Sequence, residues 1–371
     1  MPKLKIISSD IKEFNNLYRI SKDNFEKYKT VEAYDVIHKT KFYKLLLKEW
    51  FDCLQVNGTL YISIEKENNI LNNWGLRQVI FGLLNEYIEY DSEVVDNITV
   101  HKVTKTKSTK VKDDEITKWS FGIVTNGIRL ENISKLIDSI IEQNIPSYEI
   151  IICGKVDTLF LKKYKNINIV YIEFTQRDKL GWITKKKNLI CEKAKYNNIA
   201  VFHDRFILDK DWYKGMQKYG NNFEVLSCSN IDLEGNRSED WSLYGKNKIY
   251  LYSHTDKNFL FRKNNFPVLL DYRDWDETLF IPGGSIIIKK NIWKKVKWDE
   301  RIHWMEEEDV LLSHILIFEG KIPRFNIYSK LITLERRGNL KYKIIYKQTA
   351  RGNVNLMLNY FVSKIFKRIG N

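Results

Sequence analysis

The chain has 371 residues, 43% of them apolar and 13% aromatic, with a formal net charge of +14. That length exceeds one typical domain and that composition can fill a packed core, so a disordered chain is excluded and two folded units are expected. The four cysteines, Cys53, Cys153, Cys191 and Cys228, show none of the CxxC or Cys/His spacings of a zinc site, which points to free thiols in a reducing compartment.

Residues 1–10 are too poor in apolar side chains for a signal peptide, and no run reaches the length of a membrane span. A cytoplasmic location is therefore expected. The positive charge favours a polyanionic partner, whether nucleic acid, an anionic lipid surface or a phosphate-bearing substrate.

In chain order, 34–38 reads as a strand, 42–54 as an amphipathic helix, and 56–64 as a turn entering a second strand. A helix followed by the turn Val56, Asn57, Gly58 and a strand resembles the C-terminal half of a class I methyltransferase, over roughly residues 30–105. That family binds S-adenosylmethionine through a glycine-rich loop after its first strand. Residues 4–30 contain no glycine, so no S-adenosylmethionine is expected, and 1–105 reads as a degenerate, non-catalytic Rossmann-like α/β module with a structural role. A lysine-rich polar stretch then marks a linker at 106–117.

The second unit opens at 119–125 with a buried-strand pattern. Asn126 and Gly127 follow, and then Leu130, Ile133, Ile137, Ile140 and Ile141 fall on one helical face. Further strands are expected at 146–154 and 168–173, and strands alternating with helices imply a parallel sheet. An apolar strand over 200–202 runs into His203, Asp204 and Arg205, and strand ends are where open α/β sheets bind ligands. Lys186, Lys187 and Asn188 precede a helix. Gly283 and Gly284 precede a strand, where missing side chains let a ligand approach the backbone. Glu306, Glu307, Glu308 and Asp309 gather at the start of a helix whose apolar face carries Val310, Leu311, Ile315 and Phe318.

These blocks, in this order from Ser120 to about Thr333, resemble a GT-A glycosyltransferase of the family 2 type. The resemblance implies an α/β fold with a GT-A, Rossmann-like domain at 118–337, a nucleotide-sugar donor, and a glycan or lipid-linked glycan acceptor. By position, Thr125, Asn126, Lys187, Asn188, His203, Asp204 and Arg205 fall to donor binding, and Gly283, Gly284 and Trp304 to the acceptor. Asp309 is then the carboxylate base of an inverting transfer, with Glu308 second. Repulsion among the four acids would raise the pKa of one of them toward the range useful for proton abstraction.

The chain departs from the family at two places. Cys153 and Gly154 stand where an acidic pair is usual, leaving the donor base open. His203, Asp204 and Arg205 replace the DxD motif that normally holds Mn²⁺ or Mg²⁺. Either Asp204 alone anchors a divalent cation, or the Arg205 guanidinium takes over its electrostatic role.

From Arg336 to Asn371 nine Lys and Arg residues stand without an acid, and Val354, Leu358, Phe361, Ile365 and Ile369 keep helical spacing. A basic amphipathic tail at 338–371 either lies on an anionic membrane surface or docks on the protein's own core. Two other readings of the whole chain stand beside catalysis: a GT-A-like binding module without turnover, and an RNA-binding or RNA-modifying protein. Against the second, no aromatic RNP block, KH loop or zinc motif occurs, so no nucleic-acid partner is expected.

Overall fold

The computed structural model describes residues 2–67, 70–111, 113–243, 268–304, 306–335 and 343–345. The chain divides into two compact units, Met1–Val111 with Phe318–Ile322, and Lys112–Ile317 with Pro323–Asn371.

In the first unit, β1 (Lys3–Lys5), β2 (Tyr28–Tyr34), β3 (Leu54–Ser63), β4 (Ile88–Val95) and β5 (Ile98–Lys105) form one sheet in the order β1-β2-β3-β5-β4. The first three run parallel, and β5 is antiparallel to both its neighbours. Among the described residues, its α-helices are α1 (Ser8–Lys12), α2 (Tyr43–Asp52) and α3 (Asn73–Leu84).

The strand expected at 34–38 lies upstream instead. Val31 and Ala33 are fully buried on either side of Glu32, and Asp35 then turns the chain into the left-handed region at φ 52°, which ends β2. Asn57, at φ 65°, and Gly58 form an irregularity within β3 rather than a turn before it, and the register against β2 slips between Tyr28 and Thr30. A Cβ on Gly58 would stand 3.0 Å from the Lys29 carbonyl oxygen, so the close approach of the two strands requires glycine there.

The second unit carries an eight-stranded sheet built from β6 (Lys118–Val124), β7 (Ser147–Gly154), β8 (Ile169–Glu173), β9 (Asn198–His203), β10 (Phe206–Leu208), β11 (Val225–Asp232), β15 (Ser285–Lys289) and β16 (Pro323–Thr333). Its order is β10-β16-β11-β15-β9-β6-β7-β8. A four-stranded sheet joins β12 (Ser242–Leu243), β13 (Val268–Leu270), β14 (Leu279–Phe280) and β17 (Lys343–Ile345). Among the described residues, the helices are α4 (Leu130–Ile141), α5 (Thr158–Lys163), α6 (Ile183–Lys193), α7 (Trp212–Tyr219), α8 (Lys290–Lys295) and α9 (Glu308–Phe318). This is the mixed, Rossmann-like α/β arrangement that the glycosyltransferase resemblance implies.

Strand β6 explains why the middle of this sheet reads as an unbroken apolar run. It is parallel to β7 on one side and β9 on the other, and every residue after Lys118 is buried. Helix α4 buries Ile133, Leu136, Ile137 and Ile140 completely in a cluster with Trp119, Phe121 and Trp212. Each such side chain contributes about 1.5–3 kcal/mol on leaving water.

The chain moves outward from β6 through β7 to β8 and then returns to β9 on the opposite side of β6. That reversal places the carboxyl ends of β6 and β9 side by side, with Val124 opposite His203. Lys186, Lys187 and Asn188 lie inside α6 rather than before it. Gly181, at φ 67°, ends the preceding turn and lets the helix start at Ile183. Apart from β17, the basic tail expected at 338–371 lies outside the described residues. Among the described residues, no helix is long and apolar enough to cross a membrane.

Candidate functional site

The side-by-side ends of β6 and β9 bring Thr125 and Asp204 together. The Thr125 hydroxyl donates to Asp204 Oδ2 at 2.7 Å, and Thr125 Oγ1 accepts from the Gly127 N–H at 2.9 Å. Arg129, at the start of α4, sets Nη1 at 3.4 Å from Asp204 Oδ1 and donates from Nε to Glu335 at 2.7 Å. Asp204 is buried, and desolvation raises its pKa against the opposing pull of the Thr125 hydrogen bond and the Arg129 charge. Asn126 uses its side-chain oxygen locally, accepting from the Ile128 N–H at 3.1 Å.

The consecutive glycines before β15 connect this strand end to the acidic helix. The Gly284 carbonyl accepts from the His203 N–H at 2.9 Å, and a Cβ on Gly284 would stand 2.8 Å from Arg205 Nη2. One residue earlier, the Gly283 N–H donates to Asp309 Oδ2 at 2.6 Å. A Cβ on Gly283 would collide with Glu308 Oε1 and stand 3.0 Å from Lys187 Nζ and 3.1 Å from Asp309 Cβ. Residues 203–205 and 308–309, more than a hundred positions apart in the chain, thus meet across one glycine pair. A side chain at either glycine would force Glu308, or Arg205 and Phe206, to move.

Asp309 opens α9 together with Glu308. Its Oδ1 accepts from the Val310 N–H at 2.9 Å, so each carboxylate oxygen holds one backbone donor. Burial, and then the adjacent Glu308 charge, push its pKa up to about 6, while the Gly283 N–H and the Lys187 charge act in the other direction. A carboxylate so placed is ionised at neutral pH and far more basic than an exposed aspartate, which suits it to accept a proton from a hydroxyl.

The lysines of α6 divide their work. Lys187 is fully buried, pairs with Glu308 at 3.0 Å, and lies with Nζ 5.5 Å from the Trp298 ring centre. Lys186 donates to the Thr125 carbonyl at 2.8 Å and pairs with Asp178 at 2.7 Å, which ties the loop after β6 to the segment before α6. The Asn188 amide is engaged from both ends: Nδ2 donates to the Trp298 carbonyl at 2.9 Å, and Oδ1 accepts from Trp293 Nε1 at 3.0 Å. Its bonds anchor 293–300 to α6.

Trp304 is half-exposed and closes on Gly181, its N–H donating to the Gly181 carbonyl at 2.9 Å. Beside it, His303 stacks on Trp182 with ring centres 6.0 Å apart. Cys153 is fully buried, and Gly154, at φ 145°, sits so close to Thr125 that a Cβ there would strike the Thr125 carbonyl oxygen. A carboxylate side chain at 154 is excluded by that contact.

The residues at this site do not make a good cage for a divalent cation. Mg²⁺ and Mn²⁺ want several hard oxygen donors. Here Asp204 already holds a hydroxyl and faces Arg129, with Arg205 next to it, and the oxygens of Asp309 hold N–H groups. Among the described residues, no group of three or more His, Cys, Asp and Glu side chains is placed to hold a metal ion.

Arg129, Asp178 and Glu335 were not singled out from the sequence. Arg129 carries a faint signal, a cation just before the first apolar turn of α4, but only the fold shows that it meets a carboxylate from a strand 75 residues later.

No protein-family model matches the sequence, and no curated protein matches it. Among solved structures, the chain is similar to S. aureus TarS 1–349, at 12% identity over 66% of this chain and 65% of that one, with a TM-score of 0.36. It is also similar to GalNAc-T7 with UDP, GalNAc and Mn²⁺, at 14% identity over 60% of this chain and 45% of that one, with a TM-score of 0.38. A third such structure is S. aureus TarS 1–349 in complex with UDP, at 14% identity, 66% and 65% coverage and a TM-score of 0.35. The chain thus spans 65% of the TarS chain and less than half of GalNAc-T7.

Proposed function

We propose that this protein is a GT-A-type glycosyltransferase that moves a sugar from a nucleotide-sugar donor to a glycan or lipid-linked glycan acceptor, with inversion. One observation carries the reading: the Gly283–Gly284 pair seats the Asp309 carboxylate on one side and the 203–205 strand end on the other. A donor bound beside this junction would present its diphosphate to Arg205 and its anomeric carbon toward Asp309. Asp309 takes the proton of the acceptor hydroxyl as that oxygen bonds to the anomeric carbon and the nucleoside diphosphate leaves from the opposite face. Lys187 and Glu308 hold the geometry beneath, and Trp304 offers a half-exposed aromatic face to an acceptor sugar. The first unit, three parallel strands followed by an antiparallel pair, serves as a structural module.

The test is to incubate the purified protein with UDP-, GDP-, CDP- and dTDP-sugars and measure release of the free nucleotide. Release from one donor, abolished in Asp309→Asn, is the expected result. Binding without release, equal in wild type and Asp309→Asn, would instead identify a binding module. No response to any donor, with or without Mn²⁺, would overturn the proposal.

A further inference from the structure

The two edges of the first unit's sheet are built differently. Strand β1 is three residues long and both begins and ends on lysine, and short, lysine-bearing edges resist pairing with other chains. Strand β4 runs from Ile88 to Val95 in unbroken register with β5, without a proline, a lysine or a bulge. Its last five residues are exposed, with Val94 at 71% and Val95 at 48%. Among the described residues, β4 pairs with β5 alone. We propose that this edge takes up one further strand from a basic partner, an extended peptide segment with Lys or Arg at alternate positions.

The hairpin turn determines which backbone groups face outward. Asp96 and Asn97, both left-handed at φ 50° and 65°, form a two-residue turn, so Val95 and Ile98 close it with a pair of hydrogen bonds. By alternation Glu89, Asp91 and Glu93 also bond to β5, and the N–H and C=O groups of Ile88, Tyr90, Ser92 and Val94 point to the edge. The Ser92 N–H bears this out, since it donates not to β5 but to Asp91 Oδ1, at 2.8 Å. Asp91 is exposed, and an incoming strand carbonyl can take its place as the acceptor.

The same alternation selects the partner. In an antiparallel pair, residues that bond outward face residues that bond outward, so a second copy of β4 in any long overlap would set these acids against the acids of its twin. They would meet in the non-hydrogen-bonded pairs, where side chains approach most closely and like charges repel. Lys102, opposite Asp91 and 2.9 Å from Glu93, offsets only part of that charge. Lys or Arg at the facing positions of an incoming strand turns the repulsion into attraction. β-Branched residues between them would lie beside Tyr90, Ser92 and Val94, on the face that α3 covers through the Phe81 and Tyr90 rings, 5.0 Å apart.

The experiment is a fluorescence anisotropy titration of the full chain with a labelled peptide that alternates Lys and Val. Two control peptides accompany it: one alternates Glu and Val, and the other is the Lys and Val peptide with its backbone nitrogens methylated, which keeps the charge and cannot pair as a strand. The protein variants are Ser92→Pro, which removes an outward donor while sparing the bonds to β5, and the double variant Asp91→Asn, Glu93→Gln. The expected result is binding of the unmethylated Lys and Val peptide alone, weakened about tenfold in each variant. Equal binding of the methylated peptide shows attraction of charge without strand pairing and overturns the proposal. So does binding of the Glu and Val peptide, an affinity unchanged in both variants, or no binding at all. A dimer in sedimentation that Ser92→Pro dissolves would place a second copy on the edge and overturn it as well. Circular dichroism identifies a variant that fails to fold, and the comparison of peptides on wild type decides the matter without it. None of these outcomes bears on the glycosyltransferase reading, which concerns the second unit.

Discussion

Replacing Asp309 with Asn separates a catalytic carboxylate from a helix-capping one, because the two roles predict opposite changes in stability and activity. The folded-state pKa stands near 6 against an ordinary 3.8, raised first by burial and then by Glu308. The folded protein therefore binds a proton that the unfolded chain releases between those values, and stability falls as the pH rises through that window. At ~1.36 kcal/mol per pH unit, the ionised group costs at most about 3 kcal/mol above pH 6 and nothing well below 3.8. An Asn amide removes that cost. It has one acceptor oxygen where Asp309 has two, so either the Gly283 or the Val310 N–H loses its partner, at about 1–2 kcal/mol. The balance is a variant about 1 kcal/mol more stable than wild type at pH 8, or roughly 2–4 °C in melting temperature. That gain should be gone by about pH 4.5. Donor turnover should meanwhile drop by about two to four orders of magnitude, the contribution of a general base. Thermal melts at the two pH values, with nucleotide release measured at pH 8, check both halves. A variant that is less stable at pH 8 and keeps its turnover would refute the reasoning.

Wild-type kcat/KM should rise with pH through about 6 and then level off, as Asp309 loses its proton, and a profile flat from pH 5 to 8 would exclude Asp309 as the base. Lys187→Met strands the buried Glu308 carboxylate and should cost about 3–5 kcal/mol in urea unfolding, with Glu308→Gln in the same chain restoring most of it. Gly284→Ala puts a methyl group where Arg205 Nη2 and Phe206 stand within 2.8 Å. It should weaken nucleotide binding about tenfold while the fold survives, as read by titration and circular dichroism.

The parts legible in the sequence are those that local periodicity determines. The unbroken apolar run of β6, the spacing of Ile133, Ile137 and Ile140 on α4, and the acids opening α9 each reflect burial on a regular element. Where φ and register decide, local reading fell short. Asp35 ends β2 by entering the left-handed region, which alternation alone does not reveal, and Gly181 moves the start of α6 ahead of its lysines. Partnerships were the least legible. Lys187 and Glu308 are 121 residues apart, so nothing local in the lysine run shows that it contains a buried ion pair. Asn188 finds its partners 105 to 112 residues away, and Thr125 meets Asp204 across 79, because only the adjacency of β6 and β9 brings their ends together.

A structure determined with the nucleotide diphosphate-sugar that responds in the donor panel tests the central claim most directly. The account predicts the diphosphate within hydrogen-bonding distance of Arg205, the sugar over Gly283 and Gly284, and the Asp309 carboxylate on the face of the anomeric carbon opposite the leaving group. An ordered nucleotide bound elsewhere, or one whose sugar turns away from Asp309, would contradict it.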